Sequence, residues 1–90
     1  MSAVVDNLER RRFELEERGL LAFADYRLEG DELVIPHVEA APALRGTGAA
    51  GRLMTGVLDL VRSRGLKGVP LCPYADAFIR RHPQYRDLLA

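Results

Sequence analysis

Apolar and polar residues alternate along the first half of this chain and recur with a helical period in the second half. In residues 10–17 (RRRFELEE), Phe13 and Leu15 are flanked by charges, the period-2 signature of a half-buried strand. Arg18-Gly19 supplies a turn. Residues 20–28 (LLAFADYRL) predict a second strand, with Leu21, Phe23 and Asp25 on one side and Ala22, Ala24, Tyr26 and Leu28 on the other. Glu29 to Glu32 is a polar loop centred on Gly30, and Leu33 to Ala40 (LVIPHVEA) predicts a third strand. Connections this short make the three strands an antiparallel meander, because parallel neighbours need a crossover.

The pattern then changes. After a loop of small residues from Ala41 to Gly48, the apolar positions 50, 53, 54, 57, 58, 60 and 61 trace one face of a helix. Arg52, Thr55, Asp59, Arg62 and Ser63 take the opposite face, and Gly65 is placed to end the helix in a left-handed conformation. Leu66 to Cys72 (LKGVPLC) predicts a strand ending at Cys72, reached by a crossover and therefore parallel to its predecessor. Pro73 to Arg81 predicts a second helix with Tyr74, Ala75, Phe78 and Ile79 on one face. Beyond Pro83, residues Tyr85, Leu88 and Leu89 predict a last turn packed on the core. The order is β-β-β-α-β-α, a mixed α/β layer.

Ninety residues suit a single domain spanning 1–90, and a hydrophobic fraction of 48% is too high for a disordered chain. Lys+Arg and Asp+Glu are 13 each, so the basic excess expected of a small nucleic-acid binder is missing. A lone cysteine, Cys72, excludes an intrachain disulfide and a cysteine-cluster zinc site, and no metal is expected. The longest apolar runs fall far short of the roughly 20 residues a membrane span requires. The first residues (MSAVVDNLERRR) become charged too early for a signal peptide. The expectation is a soluble, reduced, cytoplasmic domain with neither nucleic acid nor membrane as partner.

Gly46, Gly48 and Gly51 spell G-x-G-x-x-G between a strand and a helix. Such glycines let backbone approach a pyrophosphate, and a helix N-terminus offers it unpaired N–H groups. The same residues also suit a plain tight turn. A dinucleotide-binding Rossmann unit does not fit. Three antiparallel strands precede the loop, and the following strand ends in Leu71-Cys72-Pro73 where a carboxylate is required. A Walker A loop is excluded because no Lys-Ser/Thr follows the glycines.

Read instead as Arg45-x-x-Gly48-x-Ala50, the loop resembles the R/Q-x-x-G-x-G/A signature of the GNAT superfamily of acyl-CoA-dependent N-acetyltransferases. Three blocks carry the resemblance over residues 12–89: His37-Val38-Glu39, the loop at 41–50 followed by Leu53, and Pro70-Leu71-Cys72-Pro73-Tyr74 with Arg81-His82-Pro83-x-Tyr85. They are similar to a short, stand-alone, minimal branch of that superfamily. The resemblance implies that acetyl-CoA or coenzyme A is bound with its pyrophosphate on the loop. It implies contacts from Val38, Ala40, Arg45, Gly46, Thr47, Gly48, Ala49, Ala50, Pro73, Tyr74, Phe78 and Arg80. The chain departs from larger members by lacking a helical pair between its first strands and a terminal β-hairpin. The family's N-x-x-A-x-x-x-Y block falls on Cys72, Ala75 and Ile79, so its proton-donating Tyr is absent. The acceptor side is then expected to be an open groove suited to protein, peptide or small amines.

His37 and Glu39 lie two apart on a strand, on one face and roughly 6.5–7 Å apart along it. Without a bulge they share that face with Leu33 and Ile35; a β-bulge, common beside active sites, would swap the faces beyond it. His37 reads as the base that takes a proton from the amine, with Glu39 assisting, or both as ordinary partly exposed side chains. Cys72 reads as an acid toward the departing thiolate, a slot-lining residue, a mixed-disulfide partner or a nucleophile, against the common role of a small buried hydrophobe. Pro36 and Pro70 remove ladder donors from neighbouring strands, which suits either a splay that opens a slot or edge placement. Arg10-Arg11-Arg12 reads as a solvated run, and Arg80 or Arg81 as a partner for the 3′-phosphate of coenzyme A. The combined reading is an N-acetyltransferase that transfers directly from acetyl-CoA to an amine. The alternative is a non-catalytic acyl-CoA-binding or protein-interaction module on the same fold.

Overall fold

The computed structural model describes residues 3–90. Strands β1 (Val5–Asn7), β2 (Arg12–Glu17), β3 (Leu20–Glu29) and β4 (Glu32–Ala40) precede helix α1 (Ala49–Ser63), strand β5 (Lys67–Pro70) and helix α2 (Pro73–Arg81). Two 3-10 turns, Pro42–Leu44 and Pro83–Leu88, complete the order. The sheet runs β1-β2-β3-β4-β5, antiparallel throughout except for the parallel β4–β5 pair. The mixed α/β class, the meander and the parallel crossover strand therefore stand as expected.

Glu17 pairs with Leu20, so Arg18-Gly19 is a two-residue hairpin loop. Both residues have positive φ, 56° and 72°, the handedness that matches the twist of the flanking strands. On β2 and β3 the face carrying Phe13, Leu15, Ala22 and Ala24 is buried, and α1 packs on it with Leu53, Met54, Val57, Leu58 and Val61. The two alanines of β3 admit the helix closely. Each larger side chain buried there stabilises the fold by about 1.5–3 kcal/mol relative to exposure. Among the described residues no helix is long and apolar enough to cross a membrane.

Two expectations need correction, and one alternative left open is decided. A strand absent from the hydrophobic pattern, β1, pairs with β2 at the sheet edge. It is three residues long and is held by a side chain: Tyr26 donates its hydroxyl to Asp6 at 2.6 Å, and Arg64 reaches the other oxygen of Asp6 at 2.9 Å. Second, the last strand stops at Pro70, so Cys72 does not end it; Cys72 is instead the N-cap residue of α2. Third, the register between β3 and β4 passes from Asp25↔His37 to Arg27↔Val34, two steps on β3 against three on β4. This is a bulge around Pro36, whose missing N–H could not serve a regular ladder. Beyond it Val38 and Ala40 pair with Ala24 and Ala22 and pack on the core. His37 and Glu39 consequently point to the uncovered face, away from Leu33 and Ile35.

Candidate functional site

Strand β5 accompanies β4 only from Glu32↔Lys67 to Ile35↔Pro70. The carbonyl of Ile35 then accepts both the Leu71 and Cys72 N–H groups, at 3.0 and 3.1 Å, and the chain turns into α2. Among the described residues, no strand pairs with residues 36–40 of β4 on that side. The Ala41 N–H bonds Leu21 O at 2.9 Å. Since alternate residues of a strand turn their N–H groups to opposite sides, those of 37, 39 and 41 face β3. Those of Val38 and Ala40 face the gap.

The glycine loop closes the end of this gap. Gly46 and Gly48 have φ of 80° and 89°, left-handed values that let the chain fold tightly before α1. The Thr47 hydroxyl donates to Leu44 O at 2.6 Å and accepts the Ala49 N–H at 3.3 Å, which shapes the turn from within. No hydrogen bond among the described residues engages the N–H groups of Gly46, Gly48, Ala50 and Gly51. The last two belong to the first turn of α1, where the helix dipole also favours an anion. A cleft of about 260 Å³ lies along these groups, lined by Ala40, Leu44, Arg45, Gly46, Gly48, Ala49, Ala50, Gly51 and Tyr74.

Of the residues expected to contact coenzyme A, the fold gathers Ala40, Arg45, Gly46, Gly48, Ala49, Ala50 and Tyr74 at this cleft. Thr47 braces it from inside, and Val38 lies on the adjoining strand edge. Pro73 opens α2 beside Cys72. Phe78 is buried, stacked on His82 with ring centroids 4.0 Å apart, and faces the α1 backbone at Gly51. Arg80 lies outside the cleft lining, its guanidinium held by Asp76 at 3.0 Å. Partial burial pushes the pKa of the Tyr74 hydroxyl up from its ordinary value.

On the uncovered face, His37 Nε2 lies 3.1 Å from Glu39 Oε1, with both side chains about half exposed (52% and 51%). An ionised carboxylate only accepts, so the neutral His37 tautomer that makes this bond carries its proton on Nε2 and keeps the Nδ1 lone pair. Phe23, opposite Glu39, presents its ring edge-on to His37 at 6.2 Å, and the Arg12 guanidinium covers Phe23 at 4.4 Å. Cys72 is buried (8% exposed) at the start of α2, on the other side of the gap from β4. Among the described residues no group of three or more His, Cys, Asp or Glu side chains is placed to hold a metal ion.

One contact was invisible in the sequence. Arg52, on the polar face of α1, binds Glu17 at the end of β2 through two bonds of 2.7 and 2.8 Å. The same guanidinium donates to Thr47 O at 3.1 Å. Periodicity marked Arg52 as polar, but a partner 35 residues away leaves no local signal.

A family model described as GCN5-related N-acetyl-transferase matches residues 12–88. Among solved structures, the NMR solution structure of a GCN5-like putative N-acetyltransferase from Staphylococcus aureus is similar at a TM-score of 0.75 and 25% sequence identity. That likeness covers 100% of this chain and 91% of the Staphylococcus aureus chain.

Proposed function

Because this chain belongs to the GCN5-related N-acetyltransferase family, we propose that it binds acetyl-CoA along the gap beside β4 and transfers the acetyl group to an amine at His37. The observation that carries the reading is the junction of two sets of unused donors. The strand edge at Val38 and Ala40 runs into the loop N–H groups of Gly46, Gly48, Ala50 and Gly51. An extended amide-bearing arm suits the first set, and a pyrophosphate suits the second. Arg45 adds a positive charge at the loop end of the cleft.

Acetyl-CoA supplies an activated acyl group as a thioester. His37 does the proton work: Nδ1 takes a proton from the acceptor ammonium or from the attacking nitrogen. Glu39, hydrogen-bonded to Nε2, steadies the imidazolium that results. As the C–N bond forms and the C–S bond breaks, the electron pair passes to sulfur, which is protonated to give the free thiol. Cys72 is assigned to that sulfur side. The acceptor approaches across an uncovered face, so protein, peptide or small amines are admitted more readily than one enclosed metabolite.

Isothermal titration with acetyl-CoA, coenzyme A and NAD, followed by mass spectrometry of acetylated products, tests the reading. Binding of the first two, without NAD, together with acetylated amine is expected. Binding without any product favours a non-catalytic acyl-CoA module, and preference for NAD removes the assignment.

A further inference from the structure

Glycine at position 48 creates a difficulty for an anion site. With φ 89° and ψ 3° at Gly48, the peptide linking Thr47 to Gly48 can rotate at small cost, because no Cβ opposes it. A planar trans peptide directs its C=O and N–H in opposite directions. A rotation that carried the carbonyl into the cleft would therefore carry the Gly48 donor out of it. Something must select one orientation.

We propose that Arg52 is a positioning residue of the anion loop, holding the Thr47 carbonyl back so that the Gly48 N–H faces the cleft, with Glu17 anchoring Arg52 to the sheet. The inference rests on the acyl-CoA reading of the loop. The guanidinium has a two-point grip on Glu17, at 2.7 and 2.8 Å, and its Nη2 also donates to Thr47 O at 3.1 Å. A planar fork with several donors can make all three bonds at once; a lysine ammonium cannot reproduce that geometry. The contact to the loop is intimate: a Cβ built on Gly48 would lie 2.9 Å from Arg52 Nη1. Glu17 terminates β2 one residue before the tight hairpin, so the anchor is itself fixed by the sheet. The carboxylate also neutralises the guanidinium, and its own pKa is lowered chiefly by the hydrogen bond from Arg52.

This arrangement differs from a direct charge contact in a measurable way. If Arg52 simply attracted the phosphates, freeing it from Glu17 would strengthen binding. If Arg52 acts by positioning, freeing it weakens binding, because the guanidinium loses the anchor that aims it at Thr47.

The test uses the full chain with Glu17→Gln, Arg52→Met and Arg52→Lys, measuring coenzyme A affinity by calorimetry, thermal midpoint, and 15N relaxation dispersion of the Gly48 amide. Arg52→Met is expected to raise Kd about tenfold, the loss of one oriented charge-assisted donor interaction. Glu17→Gln is expected to raise it by a smaller factor of about three, and Arg52→Lys is expected not to rescue. All three should move the thermal midpoint only slightly, as expected for an exposed ion pair, while Gly48 gains exchange broadening without ligand. Tighter binding in Glu17→Gln, or affinity within twofold of the parent in Arg52→Met, overturns the proposal. Should the parent itself fail to bind coenzyme A, the acyl-CoA reading falls. The Gly48 relaxation then still decides whether Arg52 fixes the peptide, and an unchanged Gly48 amide in Arg52→Met overturns that too.

Discussion

Replacing Gly48 and Gly51 separately by alanine separates two glycines that one motif treats alike. Gly48 has φ of 89°, and an alanine there takes a left-handed conformation that costs about 1–2 kcal/mol. Its Cβ would also sit 2.9 Å from Arg52 Nη1, so the guanidinium must move and its exposed pair with Glu17 is disturbed, which adds little to the cost. The backbone strain alone corresponds to about 5–10 °C in the midpoint of a domain this size. Gly51 is different. It lies inside α1 without a positive φ, and a Cβ there meets Phe78 Cε2 at 3.5 Å and the Tyr74 hydroxyl at 3.9 Å, ordinary contacts. Gly→Ala within a helix gains about 0.5–1 kcal/mol, so Gly51→Ala is expected to hold or raise the midpoint by a few degrees. Differential scanning fluorimetry reads both variants against the parent. A Gly48→Ala midpoint equal to the parent's, or a fall in Gly51→Ala as large as in Gly48→Ala, would refute the backbone geometry on which the anion loop depends.

Other expectations follow from the same contacts. His37→Ala should lower turnover about 10²-fold with acetyl-CoA affinity unchanged, the pattern of a lost general base; parental turnover would remove the role. Cys72→Ser should have a smaller effect, whereas complete loss of turnover with an acetylated Cys72 trapped in the parent would mean a covalent route. Leu53→Ala empties fully buried volume under α1 and should cost about 2–5 kcal/mol in a denaturant titration. Burial, then the hydrogen bond to Asp6, raises the Tyr26 pKa from 10.0 to about 12. A raised folded-state pKa contributes stability that is complete below pH 10 and is lost as the pH climbs toward about 12. The thermal midpoint should fall across that window, and Tyr26→Phe should flatten the fall; an equal fall in the variant would contradict the assignment.

The sequence made the meander, the crossover helix and the glycine loop legible because each repeats a local signal: alternation, a 3.6-residue stripe, and glycines before a helix. Strand β1 left no such signal, since Val5–Asn7 is too short for alternation and depends on Tyr26 and Arg64, distant in the chain. The direction of His37 and Glu39 stayed open in the sequence for a related reason. Alternation assumes an unbroken strand, and the extra residue around Pro36 reverses every face after it. Pro36 did announce the disturbance without saying which way it resolves. The parting of β4 from β5 was foreshadowed by Pro36 and Pro70, and it falls at Ile35–Pro70, where the ladder stops. The charge of Arg80 is legible in the sequence, but its engagement with Asp76 one helical turn earlier is what sets its surroundings.

The central claim is that an acyl-CoA lies along the free edge of β4 with its pyrophosphate on the α1 loop. A 15N-edited NMR titration of the parent with coenzyme A addresses it most directly, because the proposed donors are backbone amides. The account predicts the largest shifts at Val38, Ala40, Gly46, Gly48, Ala50 and Gly51, with His37 and Glu39 affected less. A larger cleft of about 560 Å³ lies elsewhere, bordered by Ala3, Val4, Leu15, Thr55, Gly56 and Asp59, with Glu17 and Arg52 at its wall. Shifts centred on Val4, Thr55 and Gly56, with the loop amides unmoved, would contradict the account.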